Sequence, residues 1–144
     1  MTIEHVAIWA RDLEALKDFY VRWFGARAND LYENRVRGFR SCFLVFSNDA
    51  GDGSGVPAGA RLELMEMPGI VEPGKAGGCG NNDAQRFGLA HLAVKVGSRE
   101  AVTRLTEDLR RAEVRILSEP RQTGDGYFES CILDPEGNRV EITA

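Results

Sequence analysis

Only two histidines occur in this 144-residue chain, and both stand in the same local setting. His5 lies in Ile3-Glu-His-Val-Ala-Ile8 and His91 in Leu89-Ala-His-Leu-Ala-Val94, 91 − 5 = 86 positions apart. Two glutamates repeat in the same way. Arg61-Leu-Glu-Leu64 and Arg139-Val-Glu-Ile142 set Glu63 and Glu141 141 − 63 = 78 positions apart. Two imidazoles and two carboxylates are ligand types for a divalent cation of the first transition row. A lone strand histidine is more often exposed or hydrogen-bonded than metal-bound, and a lone strand glutamate more often solvated or paired with arginine. What favours metal is that both residues recur in equivalent places of a duplicated pattern.

The elements that must position these four side chains also repeat. Residues 3–9 alternate as a strand, with Ile3, His5, Ala7 and Trp9 on one face. Asp12 is placed as an N-cap, apolar residues at 13, 16, 19, 20, 23 and 24 have helical spacing, and Gly25 suits the helix end. Ala28–Val36 and Phe39–Phe46 read as strands, Ser47–Gly59 as a loop, and Arg61–Met67 as a strand. The second half replays this order. It has a strand over Leu89–Val96, Ser98 as N-cap, a helix with Val102, Leu105 and Leu109 on one face, and strands over Val114–Ser118, Tyr127–Leu133 and Arg139–Thr143. Pro120–Gly126 reads as a turn-rich loop, Ser130-Cys131 is matched with Ser41-Cys42, and Asp134-Pro-Glu-Gly-Asn138 is a turn.

The expectation is an α+β fold: one domain over 1–144 made of two βαβββ modules, 1–67 and 87–144, joined by a glycine-rich linker loop over 68–86 that also lies over a site. The modules are expected to form a curved mixed sheet around a metal-binding cleft, with the helices outside. If Val6, Ile8, Leu62, Leu64, Leu92, Val94, Val140 and Ile142 turn toward the helices, His5, Glu63, His91 and Glu141 share the opposite, concave face.

Composition narrows the function. Hydrophobic residues make up 43% and charged residues 28%, as in ordinary globular proteins. A net charge of −4 offers no general attraction to phosphate backbones, so no nucleic-acid role is expected. The N-terminus lacks a signal-peptide pattern and no segment has membrane-spanning length. Cys42, Cys79 and Cys131 form an odd set without Cys-x-x-Cys spacing, which suits reduced thiols and a cytoplasmic location.

The duplicated βαβββ order, the His-Glu-His-Glu succession and the ending Asp134-Pro-Glu-Gly-Asn-Arg-Val-Glu-Ile142 resemble the vicinal oxygen chelate superfamily, above all its glyoxalase I branch. The resemblance implies one metal ion, commonly nickel, cobalt or zinc, held by His5, Glu63, His91 and Glu141, often at a site shared between the chains of a homodimer. It also implies proton transfer through a metal-stabilised enediolate, with Glu141 or Glu63 as the base. In glyoxalase I that step isomerises the hemithioacetal of methylglyoxal and glutathione to lactoylglutathione, the lactoylglutathione lyase reaction.

The chain departs from that branch at two positions. Trp9 stands where an arginine commonly holds a glutathione carboxylate, and Met67 where an asparagine is common. Both are candidate substrate contacts, with Trp9 as an apolar wall. Arg11, Arg61, Arg121 and Arg139 could supply the positive charge, or serve as surface charges and partners of nearby acids. Tyr127 is either a substrate contact or a packed aromatic. Two other readings within the superfamily are an extradiol-type dioxygenase, whose iron takes two histidines and one carboxylate, and a non-catalytic antibiotic-binding resistance protein.

Overall fold

The computed structural model describes residues 4–46, 60–70, 91–124 and 126–144. The chain divides into two compact units, Met1–Glu72 and Pro73–Ala144. The expected loop over 47–59, positions 71–86 of the expected linker, Leu89 and Asp125 lie outside the described residues.

The first unit runs β1 (His5–Trp9), α1 (Leu13–Phe24), β2 (Arg27–Ala28), β3 (Tyr32–Asn34), β4 (Phe39–Val45) and β5 (Arg61–Glu66). Its sheet has the order β1-β5-β4-β2, with β3 also paired to β4. β1 is parallel to β5 and the other pairings are antiparallel. Asp12 caps α1 by accepting the Ala15 N–H at 2.9 Å, and Gly25 ends it in the left-handed region at φ 64°. The Leu13 N–H, unsatisfied within the helix, donates to Glu66 Oε2 at 2.9 Å and ties the helix start to the end of β5. Leu13, Leu16, Phe19 and Tyr20 of α1 are buried, as are Cys42, Leu44, Leu62 and Leu64 of the sheet. Each buried leucine contributes about 1.5–3 kcal/mol of transfer free energy.

The second unit runs β6 (Leu92–Lys95), α2 (Arg99–Arg111), β7 (Ile116–Gln122), β8 (Phe128–Leu133) and β9 (Arg139–Thr143), in the sheet order β6-β9-β8-β7. β6 is parallel to β9 and the others are antiparallel. Ser98 Oγ caps α2 by accepting the Ala101 N–H at 3.1 Å. The N-caps lie 98 − 12 = 86 positions apart, the spacing of the histidines. Val102, Thr106 and Leu109 are buried against Ile132, Val140 and Ile142, while Leu105 is only half-buried.

The α+β class and the element order of two βαβββ modules are as the sequence indicates, with three local differences. The strand expected over 28–36 is two short strands. Asn29 interrupts it, its side-chain oxygen accepting the Phe43 N–H at 2.7 Å while its own N–H donates to Phe43 O at 3.1 Å. The loop expected from Pro120 is strand as far as Gln122. β7 is an edge strand, where a missing N–H costs no ladder bond, and register shifts fall on either side of Ser118, the second running on to Arg121. The third concerns the match of Ser130-Cys131 to Ser41-Cys42. Cys42 pairs with Leu64 and Ser130 with Ile142, whereas Phe43 pairs with Glu63 and Cys131 with Glu141. The structural equivalents are therefore Cys42 with Ser130 and Phe43 with Cys131. A slip of one residue exchanges the core face for the open one.

Candidate metal centre

In each unit one face of the sheet is closed by the helix and the other carries the histidine and the glutamate. His5 opens β1 and Glu63 is the third residue of β5; His91 immediately precedes β6 and Glu141 is the third residue of β9. The strand neighbours across from the glutamates are Ala7 and Ala93, whose small side chains leave room on the open face. Behind them the core residues alternate with the site residues: Leu62, Leu64, Val140 and Ile142 are buried, while Glu63 and Glu141 are half-buried.

His5 Nε2 stands 3.6 Å from Glu63 Oε2, and His91 Nε2 stands 3.3 Å from Glu141 Oε2. The first distance is too long for a hydrogen bond. The second falls within the separations of two donors on one cation, and the first lies slightly beyond them. At metal–ligand distances of about 2.0–2.1 Å, adjacent donors lie roughly 3.0 Å apart in octahedral and roughly 3.4 Å apart in tetrahedral coordination. The donor types of each pair, an imidazole nitrogen and a carboxylate oxygen, fit a first-row divalent cation. The structure brings His5 to Glu63 and His91 to Glu141, and among the described residues no three His, Cys, Asp or Glu side chains gather at one point.

The surroundings of the two pairs differ. Beside the first, the His5 and Phe43 rings meet edge to face at 5.4 Å, and the Arg61 guanidinium lies 4.1 Å over the Phe43 ring. Glu4 bonds His5 Nδ1 with one carboxylate oxygen and Arg61 with the other. The His5 bond holds the Glu4 carboxyl below its ordinary value, desolvation opposes it, and Arg61 adds to the lowering. Beside the second pair, Cys131 lies across from Glu141. Burial pushes its thiol above the ordinary value and the Glu141 charge adds to this, so the thiol stays protonated at neutral pH and is a poor ligand.

Trp9 lies at the end of β1 on the face of His5, is 41% exposed, and meets Phe39 edge to face at 6.2 Å. Met67, half-buried, follows β5 directly. Arg121 has local acceptors: its Nε donates to Ser118 Oγ at 3.0 Å and its Nη2 lies 3.6 Å from Glu129. Tyr127 is 58% exposed and is not part of the core among the described residues. Sequence reasoning missed Glu4 and Phe43. The signal for Phe43 lay in the β4–β5 register, and that for Glu4 in its position next to His5 at the sheet edge.

Solved structures of known proteins share this fold. Glyoxalase I from Zea mays has a TM-score of 0.71 at 19% identity, over 99% of this chain and 44% of that one, so this chain spans less than half the length of the maize protein. The trypanothione-dependent glyoxalase I of Leishmania major has a TM-score of 0.68 at 19% identity, over 99% of this chain and 86% of that one. A glyoxalase family protein from Enterococcus faecalis has 0.68 at 22% identity, over 99% and 96% respectively. No curated protein matches the chain in sequence. No helix among the described residues is long and apolar enough to cross a membrane. The family model described as Glyoxalase/Bleomycin resistance protein/Dioxygenase superfamily matches residues 2–142, nearly the whole chain, and the chain belongs to that superfamily.

Proposed function

We propose that the protein is a glyoxalase I-like lyase or isomerase that binds one divalent cation, nickel, cobalt or zinc, through His5, Glu63, His91 and Glu141. The observation that carries this reading is the repeated facing pair, a histidine Nε2 against a glutamate Oε2 at 3.6 and 3.3 Å in two equivalent modules. Each pair is half of a ligand set. The other half comes from the second module, of the same chain or of a second copy in a homodimer. When bound, the cation supplies Lewis acidity that makes a C–H next to a carbonyl acidic.

The chain's own residues do the rest. Glu141, or Glu63 in its place, takes the proton from the carbon beside the carbonyl and returns it to the neighbouring carbon. Ala7 and Ala93 leave space for the substrate beside the two carboxylates. Trp9 and Met67 form an apolar border, with Tyr127 and Arg121 as contacts from the second module. The substrate is a hemithioacetal of an α-ketoaldehyde such as methylglyoxal. The aromatic border at Trp9 leaves the identity of the thiol to a panel of thiols rather than to glutathione alone. The protein works in the cytoplasm, where Cys42 and Cys131 remain the free thiols they are.

The test is turnover of methylglyoxal with a panel of thiols, for protein stripped of metal and reloaded with nickel, cobalt or zinc. Activity is expected only after loading, and Glu141→Gln is expected to lose it. Full activity in the stripped protein would overturn the proposal.

A further inference from the structure

The two histidines are held differently. His5 Nε2 faces Glu63, and the opposite ring nitrogen, Nδ1, is bonded to Glu4 Oε2. Glu4 is itself anchored twice: its Oε1 accepts from Arg61 Nη2, and its backbone carbonyl accepts the Arg61 N–H at 3.0 Å. The Arg61 guanidinium rests on Phe43, whose ring also meets the imidazole. His5 is thus braced by a carboxylate, an arginine and a ring. The position before His91 is Ala90, which has no carboxylate to offer, and Cys131 takes the place of Phe43.

A neutral imidazole has one N–H and one lone pair, and the partner of one nitrogen decides what the other presents. A carboxylate on the far nitrogen orients a ligand histidine and makes it more basic, and losing such a partner typically costs about 10–100-fold in metal affinity. We propose that Glu4, anchored by Arg61, is a positioning residue. It accepts the Nδ1–H of His5, so the ring turns its Nε2 lone pair toward the cation, and the first module becomes the stronger half of the ligand set. This rests on the cation-binding reading above. Ala90 cannot supply the equivalent bond from the position before His91, so the duplicated pattern is unequal there in a way its ligand types alone do not reveal.

Two readouts test it, both on the full chain. The first is Co²⁺ affinity by competition with a chromophoric chelator. Glu4→Ala is expected to weaken binding about 10-fold, the lower end of the range because the pair is partly exposed. Glu4→Gln, which keeps an acceptor oxygen, should retain most of the affinity. The second is the imidazole ¹⁵N spectrum of the metal-free protein at alkaline pH. His5 is expected as the Nδ1–H tautomer in the wild type and to shift toward Nε2–H in Glu4→Ala, with His91 unchanged. Wild-type Co²⁺ affinity in Glu4→Ala, or an Nε2–H tautomer of His5 in the wild type, overturns the proposal. Absence of Co²⁺ binding by the wild type sinks the cation reading and this proposal's binding claim together, while the ¹⁵N spectrum still tells whether Glu4 holds the ring.

Discussion

The two modules share a scaffold and fill it with different chemistry. In the first, Tyr20 is fully buried among Phe19, Phe24 and Phe46, and Cys42 is the small core residue of β4. In the second, the equivalent positions are Thr106 and Ser130, whose hydroxyls share a hydrogen bond of 2.7 Å while Thr106 also bonds Val102 O at 2.7 Å. An aromatic cluster and a buried polar pair thus support the same strand–helix contact. The hairpins differ too. From Phe43 to Glu63 is 63 − 43 = 20 positions, and from Cys131 to Glu141 is 141 − 131 = 10. The shorter connection is organised by Asp134, a buried carboxylate whose Oδ1 accepts the N–H groups of Glu136 and Asn138 at 3.0 and 2.8 Å. The lesson is that the strands carrying the histidine and the glutamate keep their relation to the helix while loop length and core polarity vary around them.

The sharpest way to break the equivalence is at the glutamates. Glu141→Gln is expected to lower turnover about 10²–10⁴-fold, the usual worth of a general base. Glu63→Gln in parallel shows whether the first module's carboxylate shares that role; equal losses would make the two exchangeable. Next in size are the cores. Thr106→Val strands the Ser130 hydroxyl and is expected to cost about 1–3 kcal/mol in denaturant unfolding, with Thr106→Val/Ser130→Ala recovering much of it. A double variant as unstable as the sum of its singles would show that the pair is not coupled.

The smallest effect lies at the helix ends. Gly25 and Glu113 both have left-handed backbone, φ 64° and 62°. At Glu113 the cap bonds are the Glu113 N–H to Arg110 O at 2.9 Å and the Val114 N–H to Leu109 O at 3.0 Å. A Cβ at Gly25 would meet nothing within 4 Å, so Gly25→Ala carries only the conformational cost, about 1 kcal/mol. Glu113→Gly relieves the same strain and is expected to stabilise by a few tenths to about 1 kcal/mol. Thermal unfolding midpoints should move in opposite directions; shifts of the same sign contradict this account of the caps.

The duplication was legible because it is carried by residue type and period: two histidines, two glutamates and the apolar alternation behind them. Helix starts were legible from Asp12 and Ser98, which cap by side-chain chemistry readable in one dimension. Register was not. Ser41-Cys42 and Ser130-Cys131 match by name, yet the pairing of β4 with β5 and of β8 with β9 offsets them by one, and only cross-strand partners expose that. Alternation also hid Glu4, which precedes β1 and would belong to the opposite face, yet reaches around the sheet edge to His5. Pro120 was misleading because an edge strand tolerates what an inner one does not.

The most direct test of the central claim is the stoichiometry of Co²⁺ binding by calorimetric titration of the wild type, His5→Ala and His91→Ala. The account predicts one cation per chain, with tight binding lost in both variants, because each module supplies only half of one ligand set. Two cations per chain, or unchanged affinity after removal of either histidine, would contradict it.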